Sequence, residues 1–192
     1  DSSSWNIDTF TVVDKKGVKM IFGKYAATVD GYQRAAGAAE SRAGTYALKR
    51  VEDTLGNSVD FTYTDVTNDA GLRYGEYVLA RIDYTGSPAL ARVTFAYNFN
   101  PVGGVVDRLD RNVTYQAGRA FAHSRRLDAI NVEYNSGGGF NRVGYYTLGY
   151  DYAPNHGRLR LTSVKPYLYD PAVASFKDFR ATTFQWSDSS VA

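Results

Sequence analysis

The residues able to do chemistry in this 192-residue sequence are few. His123 and His156 are its only histidines, and neither has a metal-ligand neighbour at a regular spacing. Zinc needs several converging N, S or O donors, so both read as surface or loop histidines. Asp65, Asn68 and Asp69 loosely follow a calcium loop, but they lack its regular alternation and its terminal Glu; they read as turn formers. Glycines 137 to 139 precede no helix whose amide groups would cradle a phosphate, so they read as a flexible turn. Asn112-Val-Thr114 has the form of an N-glycosylation acceptor, a pattern short enough to be common by chance. No nucleophile elbow presents a serine, and no spacing marks a triad. The chain is expected to be no enzyme and to hold no metal or cofactor.

Two groupings suggest binding. Arg119, His123, Arg125 and Arg126 could face an acidic cargo or partner; the plainer reading is a charged strand edge that discourages unwanted pairing. Tyr145, Tyr146, Tyr150 and Tyr152 could form a sugar-stacking surface, which would make the chain a carbohydrate-binding β-module that uses exposed Tyr and Trp. In a strand, however, Tyr146, Tyr150 and Tyr152 share a face with Leu148, as core residues or an inner wall would.

The elements that must carry these residues are strands. In Ser58 to Thr64, Val59, Phe61 and Tyr63 alternate with polar residues, the period of a half-buried strand. Asp53-Thr-Leu-Gly-Asn57 before it is turn chemistry, with Gly56 and Asn57 able to take positive φ. Further strands are expected at Thr9 to Val13, Val18 to Phe22, Tyr77 to Tyr84, Arg92 to Tyr97 and Arg111 to Tyr115. Others are expected at Arg126 to Tyr134, Arg142 to Tyr152, Leu159 to Tyr169 and Thr182 to Trp186. Residues 25 to 44, Ala-rich and without an apolar stripe, read as a loop insertion. This many strands joined by turns predicts an all-β, mostly antiparallel fold.

One unit returns along the chain: Leu-x-x-(Ile/Val), as Leu48/Val51, Leu79/Ile82, Leu127/Ile130 and Leu161/Val164. The copies lie roughly 30 to 50 residues apart, a repeat-like interval. A spacing of three does not fit a flat strand. It fits a helical turn, against which the Tyr-, Val-, Thr- and Phe-rich flanks argue, or a leucine that closes a turn or sits at a bulge. The four leucines are expected to be largely buried at strand starts.

These segments, in this order, resemble the SpvB-like N-terminal region of insecticidal toxin complex (Tc) B components and the YD repeats of Rhs shell proteins. The resemblance is carried by Phe22-Gly23, the Tyr46 to Tyr63 block, Ile82-Asp-Tyr-Thr-Gly86 and Val93-Thr-Phe-Ala-Tyr97. It continues through Tyr115-Gln-Ala-Gly118, Arg126-Leu-Asp-Ala-Ile130, Tyr146-Thr-Leu-Gly-Tyr150, Arg160-Leu-Thr-Ser-Val164 and Phe184-Gln-Trp186. It spans Thr9 to Trp186. Tyr46 stands where the family usually has Trp, and Lys15-Lys16-Gly17 replaces the Asp-Gly of the first turn. The resemblance implies that residues 1–192 form one curved β region of a larger secreted bacterial protein. There it would be part of a β-shell that encloses a toxic C-terminal polypeptide, with further YD repeats and a β-propeller as neighbouring segments.

Two activities of such toxins find no match. The glutamates are Glu40, Glu52, Glu76 and Glu133, so the Glu-x-Glu of ADP-ribosyltransferases is absent. Asp170-Pro171 shares only the first two residues of a self-cleaving aspartyl site and reads as a turn.

Composition agrees with a structural part. Sixteen Tyr and ten Phe supply apolar surface, and there is no Cys for a disulfide framework or thiol chemistry. A net charge of +2 argues against a nucleic-acid groove. No apolar run approaches the roughly 20 residues of a membrane span, and the N-terminus has no signal-peptide pattern. A segment cut from a shell is expected to self-associate through its free sheet edges.

Overall fold

The computed structural model describes residues 9–23, 32–34, 43–65, 77–84, 86, 88–97, 108–110, 112–116 and 119–187. Among these the fold is all-β, and every strand pairing is antiparallel. In chain order the strands are β1 (Thr9–Val13), β2 (Lys19–Gly23), β3 (Tyr32–Arg34), β4 (Ala43–Tyr46) and β5 (Leu48–Glu52). Next come β6 (Ser58–Asp65), β7 (Tyr77–Tyr84), β8 (Ala91–Tyr97), β9 (Asn112–Gln116) and β10 (Arg119–His123). The last are β11 (Leu127–Asn135), β12 (Phe140–Tyr152), β13 (Leu159–Asp170), β14 (Ser175–Asp178) and β15 (Thr182–Thr183).

The chain divides into two compact units. One comprises Asp1–Leu90 with Val113–His123, the other Ala91–Asn112 with Ser124–Ala192. In the first, the strand order is β1-β2-β5-β6-β7, and β3–β4 and β9–β10 are separate pairs. In the second, the order is β8-β11-β12-β13-β14, with β15 also on β13. The β3–β4 pair falls largely within residues 25 to 44, where the sequence suggested a loop. Its strands, Tyr32-Gln-Arg34 and Ala43-Gly-Thr-Tyr46, are too short to carry an apolar alternation that could be read.

Two turns of the first unit share one design. Asp14 Oδ1 accepts the amides of Lys16 and Val18 at 2.8 and 2.9 Å, and Asp53 Oδ1 accepts those of Leu55 and Asn57, both at 2.9 Å. Three residues after each aspartate a glycine takes positive φ, 84° at Gly17 and 85° at Gly56. A side chain added at Gly56 would meet nothing within 4 Å. The cost of Gly56→Val is therefore that of forcing a β-branched residue into the left-handed region, about 1–2 kcal/mol. Chemical denaturation should show a matching shift in midpoint at unchanged slope.

In both units, residues directly opposite across the ladders sort by polarity. In the first, Phe10, Phe22 and Leu48 are in line, as are Val12, Met20, Val51 and Val59. In the second, Phe95, Ile130, Tyr146 and Pro166 are in line, as are Val93, Val132, Gly144 and Leu168. The other face carries cross-strand ion pairs, Lys19–Glu52 at 3.4 Å, Arg50–Asp60 at 3.4 Å and Arg160–Asp151 at 2.8 Å. Each ladder thus has one apolar face, as period-2 alternation dictates, and an opposite face that carries ion pairs and, in the second unit, the rings of Tyr145 and Tyr167 as well.

The apolar faces are only half covered. Among the described residues the buried apolar side chains are Ala47 and Ala153, and no large apolar side chain is buried to the same degree. Leu48, Leu79, Leu127 and Leu161 are each partly buried, none of them exposed. Leu48 and Leu127 head their strands, whereas Leu79 and Leu161 are third in theirs.

Candidate functional site

The repeated unit has a definite geometry. The pairing register skips one residue at Gly44 between β3 and β4, at Val143 between β11 and β12, and at four further places: Lys49 between β2 and β5, Ala80 between β6 and β7, Asp128 between β8 and β11, and Thr162 between β12 and β13. Each of these last four immediately follows the leucine of a Leu-x-x-(Ile/Val) unit. A bulge adds one residue to its strand, so positions i and i+3 come to the same face, as i and i+2 would in a regular strand. That is why the spacing is three.

The partners repeat as well. Leu48, Leu79, Leu127 and Leu161 lie opposite Phe22, Tyr63, Tyr97 and Tyr150. Val51, Ile82, Ile130 and Val164 lie opposite Met20, Phe61, Phe95 and Leu148, two residues earlier on the partner strand. A leucine against an aromatic ring, then a β-branched residue against an apolar one, is therefore the unit of the apolar face. Such cross-strand pairs stabilise sheets by roughly 0.2–1 kcal/mol each beyond Ala–Ala.

A bulge also disturbs the ladder, and disturbed backbone groups need other partners. Side chains supply them here. The Leu48 carbonyl accepts the Tyr63 hydroxyl at 3.0 Å, the Leu127 carbonyl the Tyr150 hydroxyl at 2.7 Å, and the Leu161 carbonyl the Trp186 indole N–H at 2.8 Å. Burial pushes the Tyr150 phenol above its ordinary value, which keeps it a donor. Trp186 thus does for the Leu161 unit what tyrosine does for the Leu48 and Leu127 units. The sequence marked it only as part of a closing Phe-x-Trp. Tyr150→Phe removes one hydroxyl and leaves a part-buried carbonyl without it, so an expected loss of about 1 kcal/mol should appear in urea unfolding.

The four tyrosines offered by the sequence do not form one surface. Tyr145 and Tyr146 are consecutive in β12, so they point to opposite faces. Tyr150 is spent on Leu127, and the Tyr152 hydroxyl accepts the Leu109 amide at 3.1 Å. Tyr145 instead stacks on Tyr167, with ring centroids 4.4 Å apart, and meets Phe176 edge-on at 5.1 Å. Tyr169 joins through Phe176 at 5.4 Å, and Arg142 and Lys165 lie over the Tyr145 and Tyr167 rings at 5.3 and 5.4 Å. Tyr167 and Phe176 were not legible as members of this cluster, because register alone brings them to Tyr145.

A groove of about 560 Å³ is lined by Arg108, Asp110, Asn112, His156, Arg158 and Leu159. Two of its charges, Arg108 and Asp110, hold chain to chain. Arg108 grips Asp110 through both carboxylate oxygens, each at 2.9 Å, and Asp110 Oδ2 also accepts the Leu159 amide at 2.9 Å. His156 Nδ1 accepts the Arg158 amide at 3.4 Å, while His123 is exposed in another segment. The groove therefore fastens residues 108 to 110 to the start of β13.

The other polar candidates are also placed. Asn68 and Asp69 lie outside the described residues. Asn135 Oδ1 accepts the amides of Gly137 and Gly139, so the glycine run is an Asn-anchored turn. Asp170 accepts the Ala172 amide at 2.9 Å and pairs with Lys177, an ordinary Asp-Pro turn. From the basic run, Arg126 pairs with Asp128 at 2.7 Å and lies over the Tyr150 ring.

No family model matches the chain, and no curated protein matches it. Solved structures do. The N-terminal domain of effector protein SpvB from Salmonella typhimurium strain LT2 is similar with a TM-score of 0.67 and 16% identity, over 88% of this chain and 63% of that one. The Photorhabdus luminescens Tc holotoxin pore is similar with a TM-score of 0.70 and 13% identity, over 94% of this chain and 10% of that one. This chain therefore spans less than two thirds of the first and a small part of the second, and it shares the fold of both.

Proposed function

We propose that the chain is a non-catalytic wall segment of a secreted bacterial toxin of the Tc type, contributing strands to a β-shell that encloses a toxic polypeptide. The observation that carries this reading is the pairing of a regular repeat with an unfinished core. Four Leu-bulge units build a continuous apolar face in each unit's ladder, yet no large side chain is fully buried among the described residues. A finished domain of this length buries roughly 70% of its unfolded surface around one core. Ladders with one apolar face, and an opposite face of ion pairs and half-polar aromatic rings, suit a wall whose two sides meet different surroundings. The shared fold with a Tc holotoxin and with the SpvB N-terminal domain supports the same reading.

The test is a chimera in which this chain replaces the corresponding region of a Tc B component. After assembly with its C-terminal cargo, the cargo is expected to resist added protease as in the parent complex. A chimera that assembles and shows a native strand spectrum, yet leaves the cargo as sensitive as free cargo, would defeat the proposal.

A further inference from the structure

We propose that the groove beside the β12–β13 turn is a binding site for a small hydroxylated carboxylate, such as a uronic acid. Its volume of about 560 Å³ lies within the range of small-molecule sites, roughly 300–1,000 Å³. All six residues that line it belong to the second unit. Arg108 and Asp110 are spent on each other and on the Leu159 amide. Three polar side chains remain, those of Asn112, His156 and Arg158, and all three are exposed.

Arg158 is the centre of the site. Its backbone is engaged on both sides, the amide on His156 Nδ1 and the carbonyl accepting the Ala153 amide at 2.9 Å. Its guanidinium makes no ion pair or hydrogen bond among the described residues. Arg50, Arg81, Arg126 and Arg160 differ, each being paired with an aspartate. A guanidinium without a partner offers a planar fork of donors that matches a carboxylate. Because His156 Nδ1 accepts, the neutral ring carries its proton on Nε2, a second donor. Asn112 brings a carboxamide, which both donates and accepts, as a hydroxyl requires of its partner. Leu159 is the single apolar residue of the lining, so an apolar ligand would find little to cover.

The charge balance selects the anion. Two arginines meet one aspartate, so with His156 neutral the lining carries one net positive charge. A monoanion neutralises it. A dianion such as sulfate would leave excess negative charge beside the Asp110 carboxylate and be repelled. The walls are also fixed before a ligand arrives. Gly157, at φ 63°, donates its amide to the Ala153 carbonyl at 2.8 Å, and Ala153 is buried. Residues 108 to 110 are held by Tyr152 and by the Leu159 amide. Groups already held in place lose less freedom on binding.

The test is an NMR titration of the whole chain, at low ionic strength, with D-glucuronate, D-glucose and sulfate. Glucuronate is expected to shift the amide signals of His156, Arg158 and Leu159. It should bind at least about tenfold more tightly than sulfate, or than glucose, which lacks the carboxylate. Arg158→Ala should weaken glucuronate at least about tenfold. Because that guanidinium bonds nothing in the fold, the variant's urea midpoint and strand spectrum should stay unchanged. Arg180→Ala, at an exposed arginine outside the groove, should leave binding as it was. An oligoglucuronide that binds more tightly per residue than the monosaccharide would identify a polymer as the natural source, and equal affinity the free acid; both uphold the site. Unmoved signals, equal affinity for glucose or sulfate, or indifference to Arg158→Ala would each overturn the proposal. None of these outcomes bears on protection of cargo in the chimera, so this inference and the wall reading fail separately.

Discussion

Leu127→Ala is expected to lower the free energy of unfolding by about 2–3 kcal/mol, the low end of the cost for large-to-small changes because the side chain is partly buried. Leu127 stands opposite Tyr97, and its carbonyl takes the Tyr150 hydroxyl at 2.7 Å. The truncation would therefore loosen both the ring contact and the cap over the Asp128 bulge. Leu109→Ala is the control. Leu109 is 82% exposed, and its replacement should change stability by less than about 0.5 kcal/mol. Urea denaturation of the two variants side by side separates a positional effect from a general dislike of losing leucine. Equal midpoints would show that the repeated leucines do not anchor their strands.

Asp110→Asn is expected to cost about 2 kcal/mol, the scale of losing charge-assisted hydrogen bonds. The amide keeps an oxygen for the Leu159 N–H but cannot complete the two-oxygen grip on Arg108. The Arg108 guanidinium holds the Asp110 carboxyl below its ordinary value of 3.8. The sign follows. A carboxyl lowered on folding contributes stability that is present above its unfolded pKa and is lost as pH falls through the folded one. The wild type should therefore lose stability faster than the variant below about pH 4, and the two curves should converge in acid. Asp53, Asp151, Asp170 and Asp178 are lowered too, so the difference between the two proteins is the quantity to measure. Parallel curves would remove Asp110 from the clamp.

The alternating strands were legible because burial of one face leaves a period-2 record; Val59, Phe61 and Tyr63 are such a record. The Leu-x-x-(Ile/Val) copies were legible as a repeat and pointed to a bulge. Which residue bulges was not, because Lys49, Ala80, Asp128 and Thr162 share no chemistry. What they share is a position after a leucine whose partner strand fixes the register. Tyr146, Tyr150 and Tyr152 were legible as sharing the face of Leu148, whereas the surroundings of Tyr145 were not. Adjacency in sequence put Tyr145 with Tyr146, whereas alternation separates them and cross-strand pairing joins Tyr145 to Tyr167 and Phe176. Strand β14 escaped notice because Ser175-Phe-Lys-Asp178 has a single apolar residue. Long-range clamps such as Asp110 to Leu159, 49 residues apart, leave no mark in a linear pattern.

The bulges have a consequence for how such a chain tolerates change. In an uninterrupted ladder, one extra residue in a strand turns every later side chain to the wrong side. Here four strand pairs, β2–β5, β6–β7, β8–β11 and β12–β13, set their phase afresh at a leucine opposite an aromatic ring, and at Leu48, Leu127 and Leu161 the carbonyl is capped as well. A slip introduced in one turn is then corrected at the next such point instead of being passed along. The punctuation works like a frame marker in a message, and the lengths between markers are free to drift. The intervals between Leu48, Leu79, Leu127 and Leu161 are unequal, as that freedom allows.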